Sequence, residues 1–308
     1  MSRKDLAEEV TNQIISRLEE GGTLPWQRPW ALTGGAAMPM NGLSKRPYNG
    51  INVVLLWLAA EKNSYTTNVW LTYKQAKQLG GSVRKGEKGH TVVFFKPLQV
   101  TDDARKEGEC EDDDSGTRTI RMMRGFTVFN LDQTEGVNIE LEEKPIWEPG
   151  EAKARIDALF EAYSANTGVT VTHGERIAAY YPQTDRIGLP DTFYNESMYV
   201  ATFAHEIIHS TGHRSRFDRL GKLDFEGSRI TARDSYALEE CCADLGAAYV
   251  CAYIGCDNQQ DNHVSYIDSW LRALKNDKRF FFKAAAAASK AFNFFLDGGV
   301  MLESDKAA

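Results

Sequence analysis

The amino-acid sequence predicts an α+β protein of two domains, and three observations support this prediction. The chain has 308 residues, about twice the length of a common single domain. Segments with apolar residues at helical spacing are interspersed with short segments typical of strands. The charge is also divided, because residues 1–98 carry 13 Lys and Arg against 7 Asp and Glu, whereas the whole chain has a net charge of -7. A basic first third on an acidic chain indicates a polyanion-binding domain joined to a second domain.

The composition excludes several classes of protein. Hydrophobic residues make up 42% of the chain and aromatic residues 11%, as in ordinary globular proteins. The longest apolar segment, residues 53–60, is too short to span a membrane and is typical of a buried helix. The N-terminus begins with a polar amphipathic helix instead of a signal peptide. We therefore expect a cytoplasmic protein with no membrane partner.

The first domain is predicted to cover residues 1–132, and its segment 101–117 contains eight acidic residues. We interpret that segment as a solvated loop between two strands. The predicted elements are a helix over residues 5–20, a core helix over 51–60, a short helix over 75–79, and strands over 91–96 and 122–130 that pair across the acidic loop.

Basic residues in the first domain alternate with aromatic ones, a pattern that suits single-stranded nucleic acid. Lys and Arg side chains follow the phosphates while aromatic rings stack on unpaired bases. The glycine-rich loop 84–89 brings cations and backbone N–H groups together, but lacks the spacing of a nucleotide-triphosphate loop. The alternative is that the aromatic residues pack in the core and the basic loop is only solvated. The candidate DNA-binding residues are Trp26, Arg28, Trp30, Lys45, Arg46, Tyr48, Arg84, Lys85 and Lys88.

The second domain, residues 151–308, contains the sequence His-Glu-Ile-Ile-His at positions 205–209. On a helix, His205 and His209 share one face, so both imidazoles can bind one metal ion. Glu206 stands beside the first histidine and can accept a proton from metal-bound water. This pattern predicts the site of a metal-dependent hydrolase.

A catalytic zinc site requires a third protein ligand and one open position. His213 lies one helical turn beyond His209, and the metzincin pattern, with a histidine six residues on, is not met; we expect His213 at the rim of the site or exposed. Glu240 and Asp244 share a face of a later helix, so one can bind the metal while the other orients a ligand histidine. Glu239 is the rival of Glu240, because the two side chains point about 100° apart and only one can be a ligand.

Cysteine is the other possible ligand type. The odd number of cysteines and the absence of a Cys-x-x-Cys pair predict reduced, mostly buried thiols. Cys241 or Cys242 as a metal ligand is therefore disfavoured against Glu240. The five cysteines are Cys110, Cys241, Cys242, Cys251 and Cys256.

The remaining elements follow from periodicity and capping signals. Residues 133–150 are predicted to form a linker. The strand over 186–189 is expected at the rim of the cleft, where an edge strand can hold an extended peptide. The predicted elements are a helix over 152–167, strands over 169–173, 177–181 and 186–189, a metal-binding helix capped by Asn195 or Ser197 and ended by Gly212, a helix capped by Asp234 or Ser235 that continues to 252, and helices over 263–275 and 280–295.

Several of these segments resemble ArdC-type antirestriction proteins. The N-terminal domain of that family is also similar to a region of plasmid conjugation primases. The Glu240–Asp244 segment additionally resembles the third-ligand helix of the gluzincins. The matching segments are residues 24–30, 46–52, 70–76 and 83–89 in the first domain, and residues 179–182, 185–190, 205–213 and 236–240 in the second.

The resemblance implies a domain that binds single-stranded DNA, followed by a zincin-like metallopeptidase domain. It implies Glu240 as the third ligand and Asp244 as the residue that orients a histidine. Zn2+ is the expected metal, with Mn2+ as the alternative. His213 and Tyr236 are expected at the rim, and either residue or Arg216 can stabilise an oxyanion.

The implied role is protection of a mobile element's incoming DNA from host restriction, with a host protein as the candidate peptidase substrate. The alternative is a non-catalytic shield on single-stranded DNA whose metal site is structural. The oligomeric state is not predicted.

Overall fold

The structure is a computed structural model that describes residues 6–19, 38–101, 117–140, 148–220, 232–256, 258 and 264–301. The predicted DNA-binding residues Trp26, Arg28 and Trp30 lie outside these ranges, as do residues 102–116 of the acidic segment. The helices are α1 (Leu6–Glu19), α2 (Ile51–Asn63), α3 (Tyr73–Gln78), α4 (Glu151–Thr167), α5 (Glu196–Thr211), α6 (Ala232–Ile254), α7 (Val264–Asn276) and α8 (Phe280–Leu296). The strands are β1 (Met40–Asn41), β2 (Val69–Leu71), β3 (Ser82–Val83), β4 (His90–Thr101), β5 (Thr117–Asn130), β6 (Thr134–Glu135), β7 (Thr170–His173), β8 (Ala179–Tyr181) and β9 (Arg186–Leu189).

A long hairpin dominates the first sheet. The strand order is β1-β2-β5-β4, and β5 is antiparallel to both of its neighbours. The predicted pairing of residues 91–96 with residues 122–130 is confirmed. Both strands are longer than predicted and reach Thr101 and Thr117. β4 continues through Pro97, because an edge strand tolerates the loss of one backbone donor.

Helix α2 is attached to this hairpin by a buried amide. The Nδ2 atom of Asn52 donates to the carbonyl oxygen of Val93 at 2.8 Å, and Asn52 Oδ1 accepts from the Val93 N–H at 2.7 Å. These two bonds satisfy backbone groups on the outer edge of β4. A small cluster of buried apolar residues fills the space between α2, β2 and the hairpin: Leu56, Ala60, Trp70, Val92 and Val128.

The two predicted domains share one hydrophobic core. Trp57 of α2 packs against Tyr249 of α6 with ring centroids 5.8 Å apart. The Gly50 N–H donates to the hydroxyl of Ser289 in α8 at 2.7 Å, and α1 contacts α7. Buried residues from α1 and α2 belong to the same cluster as those from α4 to α8. The N-terminal helices therefore contribute to the packing of the second domain.

The first residues of the predicted linker contact the basic loop. β6 pairs antiparallel with β3, and the buried side chain of Gln133 donates to the carbonyl oxygen of Lys88 at 2.9 Å. Residues 133–135 therefore hold the basic loop between β3 and β4. The domain limits stay predictions.

The second domain combines helices with a three-stranded sheet of order β7-β9-β8. β9 is parallel to β7 and antiparallel to β8. The expectation that residues 186–189 serve as an edge strand is wrong, because both edges of β9 are paired, whereas their position at the rim of the cleft stays a prediction. Among the described strands, β8 is the antiparallel edge of this sheet, and α5 packs against β8 and β9.

Helices α5 and α6 cross at close range. Asn195 caps α5, since its side chain accepts from the Met198 N–H at 2.8 Å, which decides between the two predicted caps. A Cβ atom added to Gly246 of α6 would lie 2.7 Å from Cγ1 of Ile208 in α5. Glycine is therefore what allows the two helices to approach. Over the described part of the chain, no helix is both long and apolar enough to cross a bilayer.

The predicted start of α6 is wrong. Asp234 and Ser235 were expected to cap this helix, but it already begins at Ala232. Ala and Arg at positions 232 and 233 favour helix, so the helix starts before the polar residues that resemble caps.

Candidate metal centre

Helices α5 and α6 bring together three side chains that can bind a metal ion. One potential ligand atom from each of His205, His209 and Glu240 lies within 4.8 Å of the others. The Nε2 atoms of the two histidines are 3.0 Å apart. Each Nε2 atom is 3.7 Å from a carboxylate oxygen of Glu240. The two helices thus converge on one small volume.

The spacing of these atoms fits a divalent cation. Ligand bonds of 2.0–2.2 Å in a tetrahedral site place donor atoms about 3.3 Å apart, and the observed separations of 3.0 and 3.7 Å bracket this value. Two unprotonated imidazole nitrogens at this distance repel each other unless a positive charge lies between them. Imidazole and carboxylate together suit zinc, and the carboxylate also suits manganese.

The Nδ1 atom of each histidine lies close to a further carboxylate. His205 Nδ1 lies 3.0 Å from Asp244 Oδ1, and His209 Nδ1 is hydrogen-bonded to Glu239 Oε1 at 3.2 Å. A carboxylate at Nδ1 favours the tautomer that leaves Nε2 free for a metal. The two candidates for the third ligand therefore have different positions: Glu240 faces the Nε2 atoms, and Glu239 faces the back of His209.

Arg219 completes the contacts of Glu239. Its Nε and Nη2 atoms donate to the two carboxylate oxygens at 2.9 and 3.0 Å. The same guanidinium donates to the carbonyl oxygen of Ile208 and to Oγ1 of Thr211, both at 2.9 Å. Arg219 thereby ties α6 to the C-terminal end of α5. Sequence reasoning missed this role, because no local pattern relates Arg219 to the metal motif.

The surroundings of Glu239 and Glu240 hold the pKa of both carboxyl groups below the ordinary value. Burial alone would raise the pKa of Glu239, but the charge of Arg219 and the hydrogen bonds from His209 and Arg219 lower it to about 2. Burial likewise opposes ionisation of Glu240, whereas a hydrogen bond with His205 and the charge of His209 lower its pKa. A proton and a metal ion compete for the same histidine nitrogen. Carboxylates that would stabilise a protonated histidine therefore also stabilise a bound cation.

The other predicted site residues occupy different positions. Glu206 follows His205 on α5 and is 8% exposed. Tyr236 lies one helical turn before Glu240 and is 49% exposed. His213 lies past the end of α5, and its Nδ1 atom is 2.7 Å from the hydroxyl of Ser215. These positions are consistent with a buried carboxylate and two residues nearer to solvent.

Arg216 has a structural position. Its Nε atom donates to the carbonyl oxygen of Ser210 at 2.7 Å, and its Nη1 atom donates to Asp185 Oδ2 at 2.9 Å. Its Nη2 atom also contacts Tyr180. The guanidinium is therefore held between α5 and the small sheet, which removes Arg216 as an oxyanion candidate.

The cysteines beside Glu240 are buried thiols. Cys241 and Cys242 are free and buried, as are Cys251 and Cys256. Burial raises the pKa of Cys242 to about 12 and that of Cys241 well above its ordinary value. A protonated thiol is a poor zinc ligand, in agreement with the preference for Glu240.

The described candidate DNA-binding residues lie on two loops. Lys45 and Arg46 are exposed ahead of α2, and Lys45 Nζ donates to the carbonyl oxygen of Glu140 at 3.2 Å. Tyr48 is half-buried and packs against both hydrophobic clusters, and its role in DNA binding stays a prediction. Arg84, Lys85 and Lys88 are exposed on the loop between β3 and β4, where Arg84 pairs with Glu87 at 2.9 Å.

Known proteins match both halves of the chain. Residues 4–129 match the N-terminal domain of the anti-restriction factor ArdC, and residues 158–287 match a zincin-like metallopeptidase. The metal-free crystal structure of the antirestriction ArdC protein from plasmid R388 superposes with a TM-score of 0.78 at 38% identity, over 96% of this chain and 98% of that one. The chain belongs to the ArdC family of antirestriction proteins. The predicted family and the α+β architecture of an ArdC N-terminal domain and a zincin-like domain are confirmed.

Other relatives extend the comparison. The Mn(II)-bound structure of the same R388 protein gives a TM-score of 0.73 at 38% identity, over 97% of this chain and 100% of that one. The uncharacterized protein y4eC of Sinorhizobium fredii is 36% identical over 291 residues, which are 93% of this chain and 90% of that protein. DNA primase TraC of Escherichia coli is 33% identical over 306 residues, or 96% of this chain, but the match spans only 27% of the primase.

Proposed function

We propose that this ArdC-family protein is an antirestriction metallopeptidase of a mobile element. It binds the incoming single-stranded DNA and uses a divalent cation to cleave a host protein, so that the DNA escapes restriction. The observation that carries this proposal is the group of three ligand side chains, with Glu206 buried beside it. A structural zinc site is commonly closed by four protein ligands, whereas a catalytic one uses three. Three are found within the described residues.

The side chains support peptide hydrolysis. A bound divalent cation supplies Lewis acidity and lowers the pKa of water. Glu206 accepts a proton from the attacking water and passes it to the departing amine. Asp244 and Glu239 hold the imidazoles of His205 and His209 in place. β8 provides a strand edge near α5 along which an extended peptide can pair.

The metal is proposed to be Zn2+, with Mn2+ as the alternative. Two imidazoles and one carboxylate suit zinc, and the relative from plasmid R388 binds Mn(II). Carboxylate ligation makes the exchange of one ion for the other chemically reasonable. Activity measured with each ion separately ranks the two.

The DNA-binding half is proposed from its family and its charge. Residues 4–129 match the ArdC N-terminal domain, and three exposed basic residues stand on the loop between β3 and β4. Gly86 at the turn of this loop has a φ of 90°, a conformation that favours glycine. The loop therefore presents cations on a defined backbone to a phosphate chain.

A single substitution separates the enzyme from a DNA shield. Glu206→Gln keeps a polar side chain of equal size but removes the base. The proposal expects this variant to bind metal and single-stranded DNA as the wild type does, yet to lose protection of DNA transferred into a restricting host. Glu161→Gln, at an exposed position of α4, is the matched control. Full protection by Glu206→Gln would instead favour a non-catalytic protein that coats the DNA and uses its metal structurally.

A further inference from the structure

Two phenylalanine rings are exposed side by side on the hairpin of β4 and β5. Phe94 is 48% exposed and Phe126 is 50% exposed, and their centroids are 5.3 Å apart with the ring planes at 84°. Phenylalanine is among the residues most often buried. Two such rings in contact with each other and with solvent indicate a binding surface.

A cation is positioned beside this ring pair. Arg124 is exposed and lies directly opposite Phe94 in the strand register. Phe126 lies opposite Val92, so Phe94, Phe126 and Arg124 all project from the same face of the hairpin.

This arrangement favours an unpaired nucleic-acid strand as the occupant. Aromatic side chains stack on bases of any sequence, and neighbouring Arg and Lys side chains neutralise the phosphates. An apolar protein partner would match the rings but not Arg124, and an acidic one would match only Arg124.

We propose that Phe94 and Phe126, together with Arg124, form a base-stacking platform for single-stranded DNA. This proposal rests on the proposed binding of single-stranded DNA. It adds the residues on which the bases stack. The nine candidate DNA-binding residues taken from the sequence do not include any of the three. The bases of the strand stack on the two rings, and Arg124 pairs with a phosphate beside them.

The test compares variants of the full-length protein by fluorescence anisotropy with a labelled oligothymidylate and with an abasic oligonucleotide of equal length. The double variant Phe94→Ala/Phe126→Ala should bind oligothymidylate at least tenfold more weakly, but the abasic strand as the wild type does. Arg124→Gln should weaken binding to both and reduce the dependence of log Kd on log salt by about one. Tyr194→Ala, at a side chain that is 90% exposed in the second domain, should change nothing.

A second variant controls for misfolding of the alanine variant. Phe94→Trp/Phe126→Trp keeps the aromatic rings, and it should bind normally and show quenched tryptophan fluorescence when the oligonucleotide is added. Unchanged binding by the folded alanine variant, or equal losses for both oligonucleotides, overturns the platform while DNA binding stands. Failure of the wild type to bind single-stranded DNA removes both proposals. A change of oligomeric state in the alanine variant would instead assign the rings to a contact between copies of the chain.

Discussion

Arg219 can influence the metal site without reaching it. Two of its four hydrogen bonds end on Glu239, which is bonded to the back of His209. The other two end on α5 itself. Such outer contacts commonly change metal affinity 10- to 100-fold. The orientation of a ligand on α5 therefore depends on an arginine that follows the motif by ten residues.

Replacing Arg219 by Lys tests this dependence. Lysine keeps the positive charge but cannot make the paired bonds to Glu239, so we expect metal affinity to fall about tenfold or more. The affinity is measured by competition with a chromogenic chelator. Lys153→Arg, on the exposed surface of α4, is the control. If Arg219→Lys binds the metal as tightly as the wild type, Arg219 connects α5 to α6 without influencing the metal site.

The partly buried ion pair of Asp185 and Arg216 predicts a pH dependence of stability. Burial would raise the pKa of Asp185, but hydrogen bonds from Arg216 and Tyr180 lower it below its ordinary value of 3.8. The folded state therefore favours the ionised carboxylate, and this stabilisation is present above that value and is lost as the pH falls through the lowered pKa. Asp185→Asn leaves the buried Arg216 without its charge partner, and because Asp185 is partly exposed we expect a cost of about 1.5 kcal/mol at neutral pH.

Urea unfolding at pH 7 and near pH 3 checks the direction of this pH dependence. The difference in free energy of unfolding between the wild type and Asp185→Asn should be largest at pH 7 and should shrink on acidification. A constant difference at both pH values would mean that packing, and not charge, explains the effect.

At the residue scale, local patterns were predictable and distant contacts were not. His205, Glu206 and His209 belong to one helix, so their spacing is readable directly. Placing Glu240 opposite them depended on a family resemblance. Arg219 and Asp185 act through contacts between segments that no periodicity joins. Their roles required the fold.

Helices α5 and α6 can carry the site only because Gly246 lets them approach. An added Cβ atom would lie 2.7–2.9 Å from three side-chain carbons of Ile208. Gly246→Ala gains about 1 kcal/mol of helix propensity, but overpacking costs about 1–3 kcal/mol. We expect a net loss of stability and weaker metal binding, because α6 must shift away from His205 and His209.

A second substitution relieves the same contact. Ile208→Ala removes Cγ1, Cγ2 and Cδ1, so the double variant Gly246→Ala/Ile208→Ala should recover part of the lost metal affinity and melting temperature. Calorimetry of the single and double variants, with and without metal, measures both quantities. Additive losses in the double variant would show that the contact between these two residues is not the cause.

Most elements were predictable from periodicity, and the failures have physical reasons. The residue range of β9 is as predicted, and α4, α7 and α8 differ by a residue at their ends. The central position of β9 was missed because strand order depends on long-range pairing. The start of α6 was missed because Asp234 and Ser235 resemble caps although helix-favouring residues precede them.

The whole molecule is predicted to respond as one unit when metal binds. α2 lies in the same core as α5 and α6, although family matches divide the chain between residues 129 and 158. A ligand at 100 times its Kd stabilises the folded state by about 2.7 kcal/mol. Amides in α2 should gain this protection together with amides in α5.

Hydrogen exchange with and without added zinc measures this coupling. Protection confined to α4–α8 would show that the N-terminal helices unfold independently, despite their contacts. Trp57→Ala, which removes the ring packed on Tyr249, should weaken the coupling and leave the metal ligands unchanged.

Anomalous diffraction at the zinc edge, from crystals of the full-length protein loaded with zinc, tests the proposed catalytic metal site most directly. We expect one ion per chain, bound by Nε2 of His205, Nε2 of His209 and the carboxylate of Glu240, with one position free of protein ligands. An ion elsewhere, no ion at this position, or a fourth protein ligand closing it would contradict a catalytic metal site.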